Sequence, residues 1–242
     1  MEFPPALVAG LAAAQAVAVL CGAGLGAESG VPTFRDAQTG LWAQYRAEDL
    51  ATPEAFQSDP QLVWSWYQWR RRLVEQAQPN PGHLALARWA TRFPRFTLIT
   101  QNVDGLQQRA GSRQVIELHG NLTRAKCFQC AALAGAIPAT DETVPRCAHC
   151  GGLLRPDVVW FGESLPPAAL AAAWAAAETA EVFFAIGTSG LVEPAASLPR
   201  AARRRGARLV EINPEPTPLS ALAHWVVRAP AGAALPALTQ YL

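Results

Sequence analysis

Six short runs rich in apolar and β-branched residues constrain this chain most: Val17–Leu20, Thr97–Thr100, Val115–Leu118, Val182–Ile186, Arg208–Ile212 and Trp225–Val227. They read as strands buried on both faces, separated in several places by helix-like stretches at Pro81–Arg92, Pro166–Ala180 and Pro194–Arg205. That alternation predicts a Rossmann-like α/β fold, a parallel sheet with helices on both faces. Four runs open into polar or glycine-rich loops, CGAGLG, TQNVDG, IGTSG and INPEP. Ligands of open α/β sheets bind at the carboxyl ends of strands, so these loops are expected to converge on one site.

Two segments break the alternation. Residues 36–80 are aromatic-rich with a helical pattern, and residues 122–155 hold four of the five cysteines. Without a linker or repeat between them, they read as two insertions, helical and cysteine-bearing, that form a smaller lobe of one domain spanning 1–242. Lys plus Arg (20) nearly balances Asp plus Glu (19), which gives no reason to expect a nucleic-acid or anionic-membrane surface. The apolar N-terminal stretch lacks a basic leader, and Gln15 and several glycines interrupt it. A short helix feeding a buried strand is expected there, in a cytoplasmic, monomeric protein.

Cys127-x2-Cys130 and Cys147-x2-Cys150 stand 16 residues apart, the spacing of a zinc ribbon. Four thiolates close a tetrahedral shell and leave no place for water, so the expected Zn2+ is structural. Disulfides or free thiols are the alternatives, and both suit a reducing compartment poorly. His149, between two ligands, is expected to be exposed.

Cys21–Gly26 follows the first run, and its glycines would let backbone N–H groups approach a pyrophosphate. Val31-Pro32 departs from the dinucleotide fingerprint, and no Gly-Lys-Ser/Thr of a Walker loop follows. The stretch QLVWSWYQWRRRLVEQ (61–76) crowds aromatics against three arginines. It is either an amphipathic helix with its arginines in water or one that carries an arginine inward to an anion.

GAGLGAESGVPTFR, TQNVDGL, ELHG, the two cysteine pairs, VVWFGE, GTS and INPE occur in this order between about residues 17 and 231. In this the chain resembles the sirtuins, NAD-dependent protein lysine deacylases, and within them the class III branch that includes bacterial enzymes and a mitochondrial desuccinylase. The resemblance implies NAD as cofactor and acylated lysine side chains of proteins as substrates. Nicotinamide and O-acyl-ADP-ribose would be the products. For NAD it implies Gly22, Ala23, Gly24 and Glu28 at the pyrophosphate loop. Thr33, Phe34, Arg35 and Trp42 would lie over the nicotinamide ribose. Gln101, Asn102, Val103 and Asp104 would line the nicotinamide pocket, and Gly187, Thr188, Ser189, Asn213, Glu215 and Ala231 the adenosine side.

His119 would be the general base; a histidine ending a strand is otherwise usually structural. Asn102 and Asp104 could instead cap the helix at Gly105–Ala110. For the substrate the resemblance implies Val159, Trp160, Phe161, Gly162 and Glu163 along an extended peptide, although Trp160 and Phe161 could be plain core. Tyr67 and Arg70, on one helix face, would read the carboxylate of a succinyl, malonyl or glutaryl group. Ala51 would leave room for the longer chain, and Arg71 and Arg72 would be solvated. His83 and His224 are expected to be structural. Many sirtuins carry serine where this chain has Gly26. ADP-ribosyl transfer, or NAD binding without catalysis, are the alternative functions.

Overall fold

The computed structural model describes residues 1–32, 40–135, 137 and 143–242; Thr33, Phe34 and Arg35 lie outside them. Its strands are β1 (Ala16–Cys21), β2 (Arg95–Thr100), β3 (Val115–Glu117), β4 (Gly120–Cys127), β5 (Leu154–Val158), β6 (Val182–Ile186), β7 (Arg208–Ile212) and β8 (Trp225–Val227). Six form one parallel sheet in the order β3-β2-β1-β6-β7-β8, and β4 pairs with β5 antiparallel. All six apolar runs of the sequence lie in the large sheet.

The helices are α1 (Pro5–Ala13), α2 (Ala23–Ala27), α3 (Ala47–Leu50), α4 (Pro53–Ser58), α5 (Pro60–Gln76), α6 (Pro81–Arg92), α7 (Leu106–Arg109), α8 (Pro167–Thr179), α9 (Leu198–Arg204) and α10 (Ala231–Thr239). The stretch expected as one helix from Pro194 to Arg205 divides into a 3-10 turn, Ala195–Ser197, and α9. Pro199, in the first turn of α9, has no N–H to continue a single hydrogen-bonded ladder.

β1 shows how the layers form. All six of its residues are buried. Val17, Val19 and Cys21 join a cluster with α1, α6 and α10, including Leu7, Leu86, Trp89 and Leu235. Ala18 and Leu20 join the opposite cluster with α8 and α9, including Ala173, Ala177 and Leu198. The period-two alternation of a strand therefore feeds two cores, each buried Leu or Val contributing about 1.5–3 kcal/mol. A third cluster draws on both insertions: Trp42, Ala51, Phe56, Val63, Trp66 and Tyr67 from one, Leu122 with the partly buried Phe128 and Leu153 from the other, joined by Val158 and Trp160 just beyond it.

Proline and cap residues set the helix starts. Asp59 accepts from Leu62 N at 2.9 Å at the head of α5, with Pro60 next. At α6, Asn80 accepts from the N–H groups of Gly82 and His83, and His83 Nδ1 accepts from Asn80 N at 3.3 Å. His83 is fully buried, and burial pushes its pKa down to about 4. Above the unfolded value of about 6.5 both states are neutral. Below it the unfolded chain takes up a proton that the folded chain refuses, so stability falls as pH drops toward 4, by about 3 kcal/mol in all. Urea unfolding at pH 7 and pH 5 tests this: His83→Gln should have the shallower pH dependence, and equal dependence in both proteins would remove His83 as the cause.

Candidate active site

Chain order reverses between β1 and β6: β2 and β3 lie on one side of that pair, β7 and β8 on the other. The crevice beyond their carboxyl ends is where open α/β sheets bind ligands. Gly22 N donates to Ile186 O at 2.9 Å and Gly24 N to Gly187 O at 2.8 Å. A Cβ on Gly24 would lie 2.8 Å from Gly187 Cα, and Gly187 itself has φ +56°. Only glycines allow the two backbones to meet this closely.

Side chains tie the neighbouring loops to this point. Gln101 Nε2 donates to Thr188 Oγ1 at 3.0 Å, and Asn213 Nδ2 to Thr188 O at 3.1 Å. Both carboxylate oxygens of Glu28 accept from Gly232 N at 3.0 Å, holding the start of α10 beside the glycine loop, with Ala231 buried. Ala23 and Glu215 are exposed, and Ser189 is half-buried. Four strand-end loops thus meet in one crevice.

On its β2 side, Asp104 Oδ1 accepts from Leu106 N, the first residue of α7, at 2.9 Å, while Gly105 holds the N-cap position. Its carboxyl is almost wholly buried, and burial raises its pKa. Asn102 Nδ2 is buried and meets no hydrogen-bond partner among the described residues. A Cβ on Gly26 would sit 2.9 Å from Asp104 Oδ2 and 3.6 Å from Asn102 Nδ2. The bare glycine therefore leaves this amide and carboxylate uncrowded.

His119 Nδ1 lies 2.9 Å from Gln101 O. A carbonyl only accepts, so Nδ1 carries the proton and Nε2 keeps its lone pair. Burial lowers the imidazole pKa, against a smaller opposing effect of the Gln101 bond. The ring is neutral at pH 7 and able to accept a proton at Nε2.

His119 O accepts from Val159 N at 2.9 Å, which joins this side to the strand-like segment after β5. Gly120, next to the histidine, has φ +80°, and a Cβ there would lie 2.1 Å from Asp157 O. Phe161 and Gly162 are exposed; Trp160 is 2% exposed. Phe161 N donates to Ala51 O at 2.9 Å, so Ala51 borders the same segment.

Trp160 connects that segment to α5. Its Nε1 donates to Tyr67 OH at 2.9 Å, and Phe56 lies 5.4 Å from it between ring centroids. Burial raises the Tyr67 pKa, so the phenol stays protonated. Arg70, three residues on, is half-buried with its Nε enclosed and its guanidinium 5.1 Å from the Trp66 ring. Burial lowers its pKa, yet a guanidinium remains charged at any working pH. Trp42 packs in the same cluster, 6.1 Å from Trp69. Arg72 is exposed as expected, but Arg71 is not solvated: its side chain is 19% exposed and pairs with Glu75 at 2.9 Å. An ionic partner one turn away outweighs full hydration at that position.

One residue of this region escaped the sequence reading. Arg155 is 3% exposed and lies with its guanidinium carbon 3.2 Å from the centroid of the Trp160 ring. It donates twice to Glu163, and Glu163 Oε2 accepts from Trp160 N at 2.8 Å. The carboxylate of Glu163 is thus turned toward Arg155. No motif marks Arg155; its only sequence signal is a cation in a mostly apolar stretch, LLRPDVVWF, that also holds Asp157.

The four cysteine sulfurs lie within 4.8 Å of one another, Cys127 to Cys150 at 3.4 Å and Cys130 to Cys147 at 3.8 Å. Tetrahedral zinc with Zn–S bonds of about 2.3 Å needs sulfurs about 3.8 Å apart, so the set fits. His149 is exposed and offers its backbone N–H to Cys147 Sγ at 3.4 Å. Trp64 of α5 packs against Cys127, Cys147 and Leu154.

Comparison with known proteins agrees with this geometry. The Sir2 family model matches residues 22–194. The chain is 52% identical to an NAD-dependent protein deacylase of Methylococcus capsulatus, over 100% of this chain and 98% of that protein. A crystal structure of a Sir2 homolog–NAD complex superposes with a TM-score of 0.93 at 45% identity, covering 99% of this chain and 94% of the other. A Sir2 mutant bound to a p53 peptide and NAD superposes with a TM-score of 0.86 at 30% identity, covering 99% and 98%.

Proposed function

The chain belongs to the Sir2 family and is an NAD-dependent protein deacylase, and on that premise we propose that it removes acidic acyl groups, succinyl, malonyl or glutaryl, and also acetyl, from protein lysine. One observation carries the acidic preference: Tyr67, a phenol kept protonated by burial in an aromatic cluster, shares a face of α5 with Arg70, whose guanidinium lies 5.1 Å from the Trp66 ring. An acyl carboxylate buried there without such partners would cost several kcal/mol. Arg70 can bind it bidentately while Tyr67 donates one hydrogen bond.

When bound, NAD supplies the electrophilic ribose carbon and receives the acyl group. The residues of this chain do the rest. The Gly22–Gly24 and Gly187–Ser189 turns cradle the pyrophosphate side, with Asn213, Glu215 and Ala231 toward the adenosine. Asn102, Val103 and Asp104 would line the nicotinamide end. His119 Nε2, kept basic by the Gln101 carbonyl on Nδ1, would accept the proton of a ribose hydroxyl held beside it. Val159–Gly162 offer main-chain groups to the peptide, and Ala51 leaves width for the acyl chain. The two insertions form one small lobe, which supports the reading by sharing a single apolar cluster. Cysteines arranged for metal rather than disulfides favour the cytoplasm, and the protein is read as a monomer.

The test is an acyl-peptide panel with and without NAD, run on wild type and Arg70→Met. Wild type should prefer succinyl over acetyl peptide. Arg70→Met should lose about 2–5 kcal/mol of that preference, by analogy with truncated buried charge pairs. Equal loss on both peptides would instead mean general destabilisation, and ADP-ribosylated products without deacylation would point to transfer chemistry.

A further inference from the structure

Resting on the acidic-acyl reading, we propose that Trp160 is a positioning residue that makes Tyr67 a committed hydrogen-bond donor to the acyl carboxylate. An indole N–H can only donate, so in the Trp160–Tyr67 contact of 2.9 Å the phenol oxygen must be the acceptor. The single Tyr67 O–H is then left over. Among the described residues it meets no acceptor, although Tyr67 is only 4% exposed. A buried donor without a partner is costly unless a ligand supplies one. Donation into the phenol oxygen also polarises its O–H and strengthens it as a donor.

Trp160 is fixed in this geometry by groups around its ring and its backbone N–H. The Arg155 guanidinium lies against one face of the indole at 3.2 Å, and Phe56 and Phe128 stand 5.4 and 6.4 Å away. Glu163 bonds both the Arg155 guanidinium and Trp160 N, and Arg155 also donates to Val158 O at 2.8 Å. Burying this cation is costly, and it survives through paired carboxylate, carbonyl and aromatic ring. Arg155 and Glu163 thus clamp the indole from behind while its Nε1 addresses Tyr67. The acyl reader is therefore a trio: Arg70 supplies charge, Tyr67 a proton, and Trp160 the direction of that proton.

The experiment replaces Trp160 by benzothienylalanine, which keeps the bicyclic shape and lacks the N–H, alongside Trp160→Phe and Arg70→Met. Succinyl and acetyl peptides are compared as a ratio of kcat/KM, with KM for NAD measured in each protein. Loss of one oriented hydrogen bond should lower the succinyl-to-acetyl ratio roughly fivefold in the benzothienyl protein, mainly through the KM of the succinyl peptide. KM for NAD, read alongside, separates a change in acyl reading from a general loss of cofactor binding. If Arg70→Met collapses the ratio while the benzothienyl protein keeps it, the assignment of Trp160 is wrong and the acidic reader stands. If Arg70→Met leaves the ratio untouched, the acidic reading itself falls and takes this inference with it.

Discussion

His119→Ala lowers kcat/KM for every acyl peptide by roughly 100- to 10,000-fold, the range that positioned general bases contribute. The expectation rests on the tautomer. Gln101 O holds the proton on Nδ1, so Nε2 is the basic atom without any need for a carboxylate partner. Because burial lowers the imidazole pKa, the base stays neutral, and competent, to lower pH than a free histidine. The acid limb of the wild-type pH–rate profile should accordingly have its midpoint below about 6.5 and vanish in the variant. Acyl-peptide kinetics across pH 5 to 8 checks both points. Turnover within threefold of wild type would remove His119 from the chemistry.

Stripping zinc, or replacing Cys147 by alanine, should produce the second large effect. Structural zinc in small modules binds with about 10–16 kcal/mol at pH 7. If even 3–5 kcal/mol of that stabilises the native chain, Tm falls by about 6–20 °C for a protein of this size. The loss should begin locally. Trp64 packs on Cys127 and Cys147, while Phe128, inside the first knuckle, stands 5.2 Å from Phe56. Both contacts belong to the aromatic side of the molecule, and the large sheet has separate cores. Calorimetry with metal analysis before and after chelation is the check, together with limited proteolysis between residues 122 and 155. A metal-free protein with an unchanged Tm would show that the thiolate cluster does not hold the fold.

The large sheet was legible because burial on both faces writes an apolar run directly into the chain. Val182–Ile186 and Arg208–Ile212 were read with the bounds they have. β4 and β5 were hidden. Arg124, Lys126, Arg155 and Asp157 look like loop residues in the sequence, and only pairing makes them strand residues. Arg124 reaches Glu117 at 2.6 Å and Asp157 at 3.0 Å, and Lys126 reaches Asp157 at 3.4 Å. Charges matched across strands cancel the pattern that a single chain displays. Much of the candidate site was legible for a different reason: glycine turns and strand-end amides keep a fixed local order. Loops far apart in the chain were not. Nothing near Glu28 announces its bond to Gly232, and nothing near Trp160 announces Tyr67, 93 positions away.

The pairing of β1 with β6 also fixes a timetable. Val17 must wait for Val182 before its strand has a neighbour on that side. At about 5–20 residues per second of synthesis, the interval is on the order of 10–30 s. Throughout it, a wholly apolar ribbon has one open rim in the growing polypeptide. Such a rim is open to wrong partners until the sixth strand arrives.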